Sequence, residues 1–170
     1  MKGDVHGSPE ERFWAKVNKT DGCWLWTRCT DRDGYGRFGV DADRVVYSHR
    51  FAWELVNGPV PPGKELDHMC YITQCVNPDH LRVLTPKQHR ENRRGPQRNS
   101  TSGFRGVTFD KQRNKWMAIA RNYGKNIYGG RFDTAEEANE AAIALRRKLF
   151  THSDMDVREP NTTPQEESER

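Results

Sequence analysis

Long apolar runs are missing from this 170-residue sequence. Hydrophobic residues make up 34% of it and charged residues 31%. That polarity excludes one large apolar core, and small domains of this kind lean on a staple such as a metal or disulfides. No segment approaches the roughly 20 apolar residues of a membrane span. Residues 1–9 also carry no apolar run of the signal-peptide type. These absences predict a cytoplasmic protein with no membrane partner. Cysteine is scarce too, with only Cys23, Cys29, Cys70 and Cys75. In a reducing compartment four cysteines read as metal ligands or free thiols rather than as a disulfide framework.

A strong overall charge is likewise absent, the formal net being +4. The distribution says more than the total. Residues 82–131 hold thirteen Lys or Arg against Glu91 and Asp110, a net of +11, whereas residues 153–170 hold six acids against two Arg. Arginine outnumbers lysine in the basic stretch, and aromatic residues are interleaved with it. The guanidinium fork suits phosphates and base edges, so this region predicts a nucleic-acid partner. Everything after His152 is polar, acidic and free of aromatics, which predicts disorder.

The pattern of elements is α+β. Ser8, Pro9 and Glu11 have the spacing of a capping box with proline at the first helical position, which starts a short helix over residues 8–17. Residues 23–26 and 34–38 read as two short strands around a polar turn at 30–34, and residues 45–47 as another strand. Ser48 is placed to cap a helix with Phe51, Ala52, Leu55 and Val56 on one face, stopped by Gly58-Pro59. Residues 65–68 and 81–84 are strands on either side of a loop, and Thr85 caps a helix from Pro86. Residues 95–101 have linker composition. Beyond them, 104–109, 115–121 and 126–132 are strand candidates, with Asn114 and Tyr123-Gly124-Lys125 at the hairpin turns. Thr134 and Glu137 form a second capping box, ahead of a helix lined by Ala138, Ala141, Ala142, Leu145 and Leu149. Three antiparallel strands and one helix make a minimal α+β unit.

Two constellations carry chemistry. Cys70, Cys75 and His80 follow a Cys-x4-Cys-x4-His spacing, which suits a tetrahedral zinc ion. Cys23 and Cys29 are the candidates for the fourth ligand. Cys23 is favoured because a strand fixes its direction, whereas Cys29 lies in a polar turn. Ahead of this loop stand Asp67 and His68 at a strand end. Phosphodiester hydrolysis needs a water nucleophile and neutralised charge. A histidine serves as general base towards water, and a carboxylate holds Mg2+ or another hard ion such as Mn2+. His89 and Asn92, three apart on the following helix, are the candidates for a second ligand.

Residues 23–94 resemble the HNH (His-Me finger) endonucleases, closest to their zinc-stapled, homing-type branch. The matching residues are Cys23-Trp24-Leu25-Trp26, Gly34-Tyr35-Gly36, His49-Arg50, Leu66-Asp67-His68-Met69-Cys70, Cys75-Val76-Asn77-Pro78-Asp79-His80-Leu81 and His89-Arg90-Glu91-Asn92. The resemblance implies a ββα-metal fold within a nuclease domain over 1–94. It implies His68 as general base, a divalent ion on Asp67 and His89, and structural zinc on Cys23, Cys70, Cys75 and His80. Asn92 competes with His89, and Asn77 would tie the loop. Arg50 would brace the scissile phosphate or serve as an ion-pair partner. Residues 102–152 resemble the ethylene-response-factor (APETALA-type) DNA-binding domain, through Ser102-Gly103-Phe104-Arg105-Gly106-Val107, Lys115-Trp116-Met117-Ala118, Gly129-Gly130-Arg131-Phe132 and Thr134-Ala135-Glu136-Glu137-Ala138. That likeness implies a sheet in the major groove, with Arg105, Arg113, Lys115, Trp116, Arg121 and Tyr128 as DNA contacts, while Arg93, Arg94 and Arg98 of the linker run along phosphates.

Together these predict a site-preferring endonuclease on double-stranded DNA, monomeric or homodimeric, in a prokaryotic or phage-infected cell. Its rival is a non-catalytic, zinc-containing DNA-binding regulator. An RNA-directed nuclease is disfavoured by the major-groove type of sheet.

Overall fold

The computed structural model describes residues 7–157. The chain splits into two compact units, Met1–Pro86 and Lys87–Arg170. Among the described residues no helix is long and apolar enough to cross a membrane.

The first unit is built from short pieces. Helix α1 (Pro9–Trp14) starts on the anticipated capping box, the Ser8 hydroxyl accepting from Glu11 N–H and the Glu11 carboxylate accepting from Ser8 N–H. Strand β1 (Val17–Asn18) pairs antiparallel with β2 (Leu25–Trp26), and β3 (Arg37–Gly39) with β4 (Val45–Tyr47). Residues 23–26 and 34–38 do not pair with each other as strands; among the described residues a single bridge, Thr30 to Gly36, spans the turn between them. Each segment instead finds a different partner, because each contributes one aromatic ring to a shared core. Phe13, Trp26, Phe38, Ala52 and Val76 are buried there. The Phe13 ring lies 5.3 Å from Trp26, 5.1 Å from Phe38 and 4.9 Å from Phe51. Aromatic rings of this size supply the apolar area that two-residue strands cannot.

Helix α2 (Ser48–Asn57) begins at Ser48 itself, with Tyr47 as the flanking residue and no side-chain cap. The reason is local. Ser48 N–H is used by the carbonyl of Gly36, and Ser48 is fully buried, so its hydroxyl does not reach back to the helix start. Gly36 is required at this contact, since a Cβ there would collide with the Ser48 hydroxyl and the Trp26 ring. Strand β5 (Glu65–His68) pairs antiparallel with β6 (Leu81–Leu84), joined by a loop that ends in a 3-10 turn, Pro78–His80.

Helix α3 (Pro86–Glu91) belongs to the second unit from Lys87 onward. The division therefore falls ahead of the anticipated linker. Strands β7 (Val107–Asp110), β8 (Lys115–Asn122) and β9 (Lys125–Phe132) form one antiparallel sheet in that order. Asn114, Tyr123 and Gly124 all have positive φ, as tight hairpin turns demand. Helix α4 (Ala135–Leu149) starts on the Thr134–Glu137 capping box. Val107 and Ala118 of the sheet share a buried cluster with Ala138 and Ala142 of α4. Small residues allow this close approach of sheet and helix. At Gly106, φ +78, a Cβ would run into the carbonyl of Ile119.

The chain beyond His152 is not structureless throughout, which corrects the reading of an entirely disordered tail. Residues 154–157 form a short helix, α5 (Asp154–Val157). Asp156 anchors it by accepting from Arg146 Nε at 2.8 Å and Nη2 at 2.6 Å, with both residues buried. Two carboxylate oxygens facing one guanidinium fork supply the binding that apolar residues lack here. Residues 158–170 lie outside the described residues.

Candidate metal cluster and nuclease-type site

The loop between β5 and β6 folds over the N-terminal strands. Backbone bonds from Trp26 N to Gln74 O (2.9 Å) and from Val76 N to Trp24 O (2.8 Å) stitch it to β2. Asn77 donates to Gly22 O at 3.0 Å and accepts from Asp79 N–H at 3.1 Å, which ties the loop at both ends. This stitching brings Cys23, from far upstream, beside Cys70, Cys75 and His80. One ligand atom from each of the four lies within 4.8 Å of the others. Cys29 stands apart and exposed, its thiol directed at the carbonyl of Arg37.

The donor set fits a tetrahedral zinc. An ion with Zn–S about 2.3 Å and Zn–N about 2.05 Å places sulfur and nitrogen roughly 3.5 Å apart at tetrahedral angles. His80 Nδ1 lies 3.4 Å from Cys23 Sγ and 3.6 Å from Cys75 Sγ. Burial raises the Cys23 thiol; Cys75 works against that rise and Cys70 adds to it. Burial pushes Cys75 up to about 12, with the charge of Cys70 reinforcing it against the backbone N–H groups nearby. Buried sulfurs that resist ionisation alone, as Cys23 and Cys75 do, are what a cation relieves.

Asp67 and His68 close strand β5. Asp67 is buried and faces its cross-strand partner Arg82, whose Nε and Nη2 both lie 3.0 Å from Asp67 Oδ2. His68 is buried as well, and its Nε2 lies 3.0 Å from the carbonyl of Cys75. A carbonyl only accepts, so Nε2 carries the proton and neutral His68 has its lone pair on Nδ1. The metal loop thus sets the tautomer of the candidate base.

A ring cluster backs His68. His49 meets it edge-on at 4.9 Å, and Tyr35 lies 6.0 Å from it and 5.5 Å from His49. Tyr47 stands 5.6 Å from His49. His49 is held down to about 3, first by burial and then by the neighbouring charge of His68 and Arg50, against a smaller opposing pull from Asp31. Burial also raises the Tyr35 hydroxyl, with Asp67, Asp31 and Asp33 adding to it. Arg50, next along α2, donates to Glu54 Oε1 at 2.8 Å.

In the second unit His89 lies half-buried on α3. Asn92 follows the helix end, and its Oδ1 accepts the N–H of Asp154 at 3.2 Å. On the sheet, Ala118 and Ala120 of β8 are buried on the α4 side, and Trp116 packs against that same core. The opposite face carries Arg121, exposed Tyr128 and Arg131, the last paired with Asp110 Oδ2 at 3.0 Å. Arg113 also reaches Asp110 Oδ2, at 3.4 Å, and Lys115 pairs with Asp133. Arg93, Arg94 and Arg98 are exposed. Arg105 donates to backbone carbonyls at the end of α3. Arg82, Tyr35, Tyr47, Arg131 and the Arg105 contact were not assigned these places from sequence. The Asp67–Arg82 pairing follows from the β5–β6 register alone, while the others depend on tertiary packing.

Comparison with known proteins identifies the class. Residues 46–91 match the HNH endonuclease family and residues 102–152 match the AP2 domain. The chain therefore carries an HNH endonuclease domain followed by an AP2 DNA-binding domain. Among individual relatives, it is 37% identical over 81 residues to Protein 2.8 of Escherichia phage T7, covering 46% of this chain and 55% of that protein. It is 34% identical over 64 residues to the uncharacterized gene 5.3 protein of Enterobacteria phage T3, covering 35% of this chain and 63% of that protein. It is also 40% identical over 74 residues to the AP2-like ethylene-responsive transcription factor TOE2 of Arabidopsis thaliana, covering 40% of this chain and 15% of that protein. The chain spans 52% to 63% of the length of the phage relatives it matches. No solved structure matches.

Proposed function

We propose that the chain is a metal-dependent DNA endonuclease of the homing type, whose AP2 domain binds the target DNA. The observation that carries this reading is the orientation of His68, held through Nε2 by the Cys75 carbonyl beside a Cys3His cluster. A scaffold alone has no need to fix a histidine tautomer at a strand end. In this reading β5 and β6 are the strands of a ββα-metal element, Cys23, Cys70, Cys75 and His80 would hold zinc, and Asp67 and His89 are each candidate ligands of Mg2+ or Mn2+. His89 is the helix ligand in this reading, with Asn92, whose Oδ1 accepts from Asp154, as its competitor.

When bound, zinc would cross-link the loop and the hard divalent ion would neutralise charge on the phosphate and the leaving 3′ oxygen. His68 takes a proton from the attacking water at Nδ1, and the Cys75 carbonyl steadies the imidazolium that results. Arg82 holds the Asp67 carboxylate in place. Arg50 is the candidate brace for the phosphate. Arg113, Lys115, Arg121 and Tyr128, joined by Arg131, form the DNA-facing side of the sheet, with Arg93, Arg94 and Arg98 on phosphates. Trp116 and Arg105 support that surface from within. One site per chain makes a nick the default product.

Supercoiled plasmid with Mg2+ tests the reading. The wild type converts it to open-circular or linear DNA, and His68→Ala loses at least about 100-fold of that rate, the scale of general-base catalysis. A wild type that binds the plasmid and leaves it intact would instead support a zinc-containing DNA-binding regulator.

A further inference from the structure

The end of α3 is bonded into the AP2 unit at several points. Arg105 donates from Nη1 to Arg93 O at 2.9 Å and from Nη2 to Glu91 O at 3.0 Å and Arg90 O at 3.3 Å. The Arg90 and Glu91 carbonyls belong to the last turn of α3, where a helix leaves carbonyls without intrahelical donors, and Arg93 lies just beyond it. Glu91 is 4% exposed, and its Oε2 accepts both the N–H and the hydroxyl of Thr151, at 3.2 and 3.1 Å. Asn92, 3% exposed, accepts the N–H of Asp154. The segment that supplies Thr151 and Asp154 is itself pinned to α4 by the Arg146–Asp156 pair. Residues 95–101, of linker composition, lie between α3 and the AP2 domain. These bonds join the two sides of that linker and bypass it.

We propose that α3 is carried by the AP2 domain, with Arg105, Glu91 and Asn92 as positioning residues that lock His89 to the DNA-binding sheet. The inference rests on the reading of His89 as a ligand of the divalent ion.

Hydrogen–deuterium exchange on the full chain tests the lock without any cleavage. In the wild type the amides of residues 89–92 are protected. In Arg105→Ala they exchange about tenfold faster, the factor that one lost hydrogen bond to a charged group supplies, while β8 and β9 keep their protection. Unchanged exchange at 89–92 with β8 and β9 intact overturns the proposal. If Arg105→Ala exposes β8 and β9 as well, Thr151→Val decides on the same criterion. Plasmid cleavage with Mg2+ is read separately: a wild type that cuts nothing removes the nuclease reading, and the exchange experiment still decides the lock.

Discussion

The two units are held together by different means. The first has strands of two to four residues, gathered around aromatic rings and a Cys3His cluster. The second has two eight-residue strands, a 15-residue helix with a capping box, and a buried ion pair. Strands of two residues gain little from pairing, so the loop of the first unit depends on its side-chain cluster. The second unit gains its order from continuous ladders and a sheet-on-helix core. The same chain thus joins a domain that a metal would complete to one that packs without it.

Metal removal is the sharpest way to break this comparison. Structural zinc in small domains contributes on the order of 10 kcal/mol. Chelation, or Cys75→Ser, is expected to collapse the near-ultraviolet circular dichroism of Trp14, Trp24 and Trp26 while the helical signal of α4 remains. Aromatic signals that survive chelation would remove the metal from the account. The second unit has its own weak point. Burial pushes the Asp156 carboxyl up, but bonds from Arg146 and Ser153 outweigh it and leave it lowered. Asp156→Asn leaves a buried guanidinium unpaired and is expected to cost about 3–5 kcal/mol. Denaturant unfolding followed through α4 checks this, and a loss under about 1 kcal/mol contradicts it.

Smaller effects sharpen the contrast. His49 stays neutral in the folded first unit down to about 3, whereas the unfolded chain protonates at its ordinary 6.5. Above 6.5 both states are neutral and pH does nothing. Between 6.5 and about 3 the unfolded state takes up the extra proton, so stability falls by about 1.4 kcal/mol per pH unit. At fixed metal, wild type should lose roughly 2 kcal/mol more than His49→Phe between pH 7 and pH 5. Parallel pH slopes for the two proteins would contradict it. Thr134→Ala, which removes the α4 cap, is expected to cost about 1 kcal/mol in the second unit alone. No change in its unfolding midpoint would show that the cap is dispensable.

What was legible in the sequence divides by the range of the interaction that decides it. The Ser8 and Thr134 caps were readable because all their partners lie within three residues. Strands β5, β6, β8 and β9 announced themselves by short apolar or alternating runs between turn residues. Cys70, Cys75 and His80 were named because thiolates and imidazole have few other reasons to share such spacing, and Cys23 was favoured beside them because a strand fixes its direction. Partners across the fold were harder. Val17–Asn18 is too short to show a period, so its pairing with Leu25–Trp26 was missed. Ser48 resembled a cap, but burial against Gly36 redirected it. The bonds of Arg105 to the carbonyls at the end of α3 show only in the folded chain, because sequence does not reveal that α3 ends there. Asp156 sat in an acidic stretch whose composition gave no hint of Arg146.

Cys75 serves two partners with two different atoms. Its sulfur belongs to the Cys3His cluster, while its carbonyl accepts from His68, seven residues earlier. The length of the intervening loop is therefore not a free variable for engineering. An insertion between Tyr71 and Gln74 that still let the cysteines gather would shift the carbonyl and re-aim the imidazole.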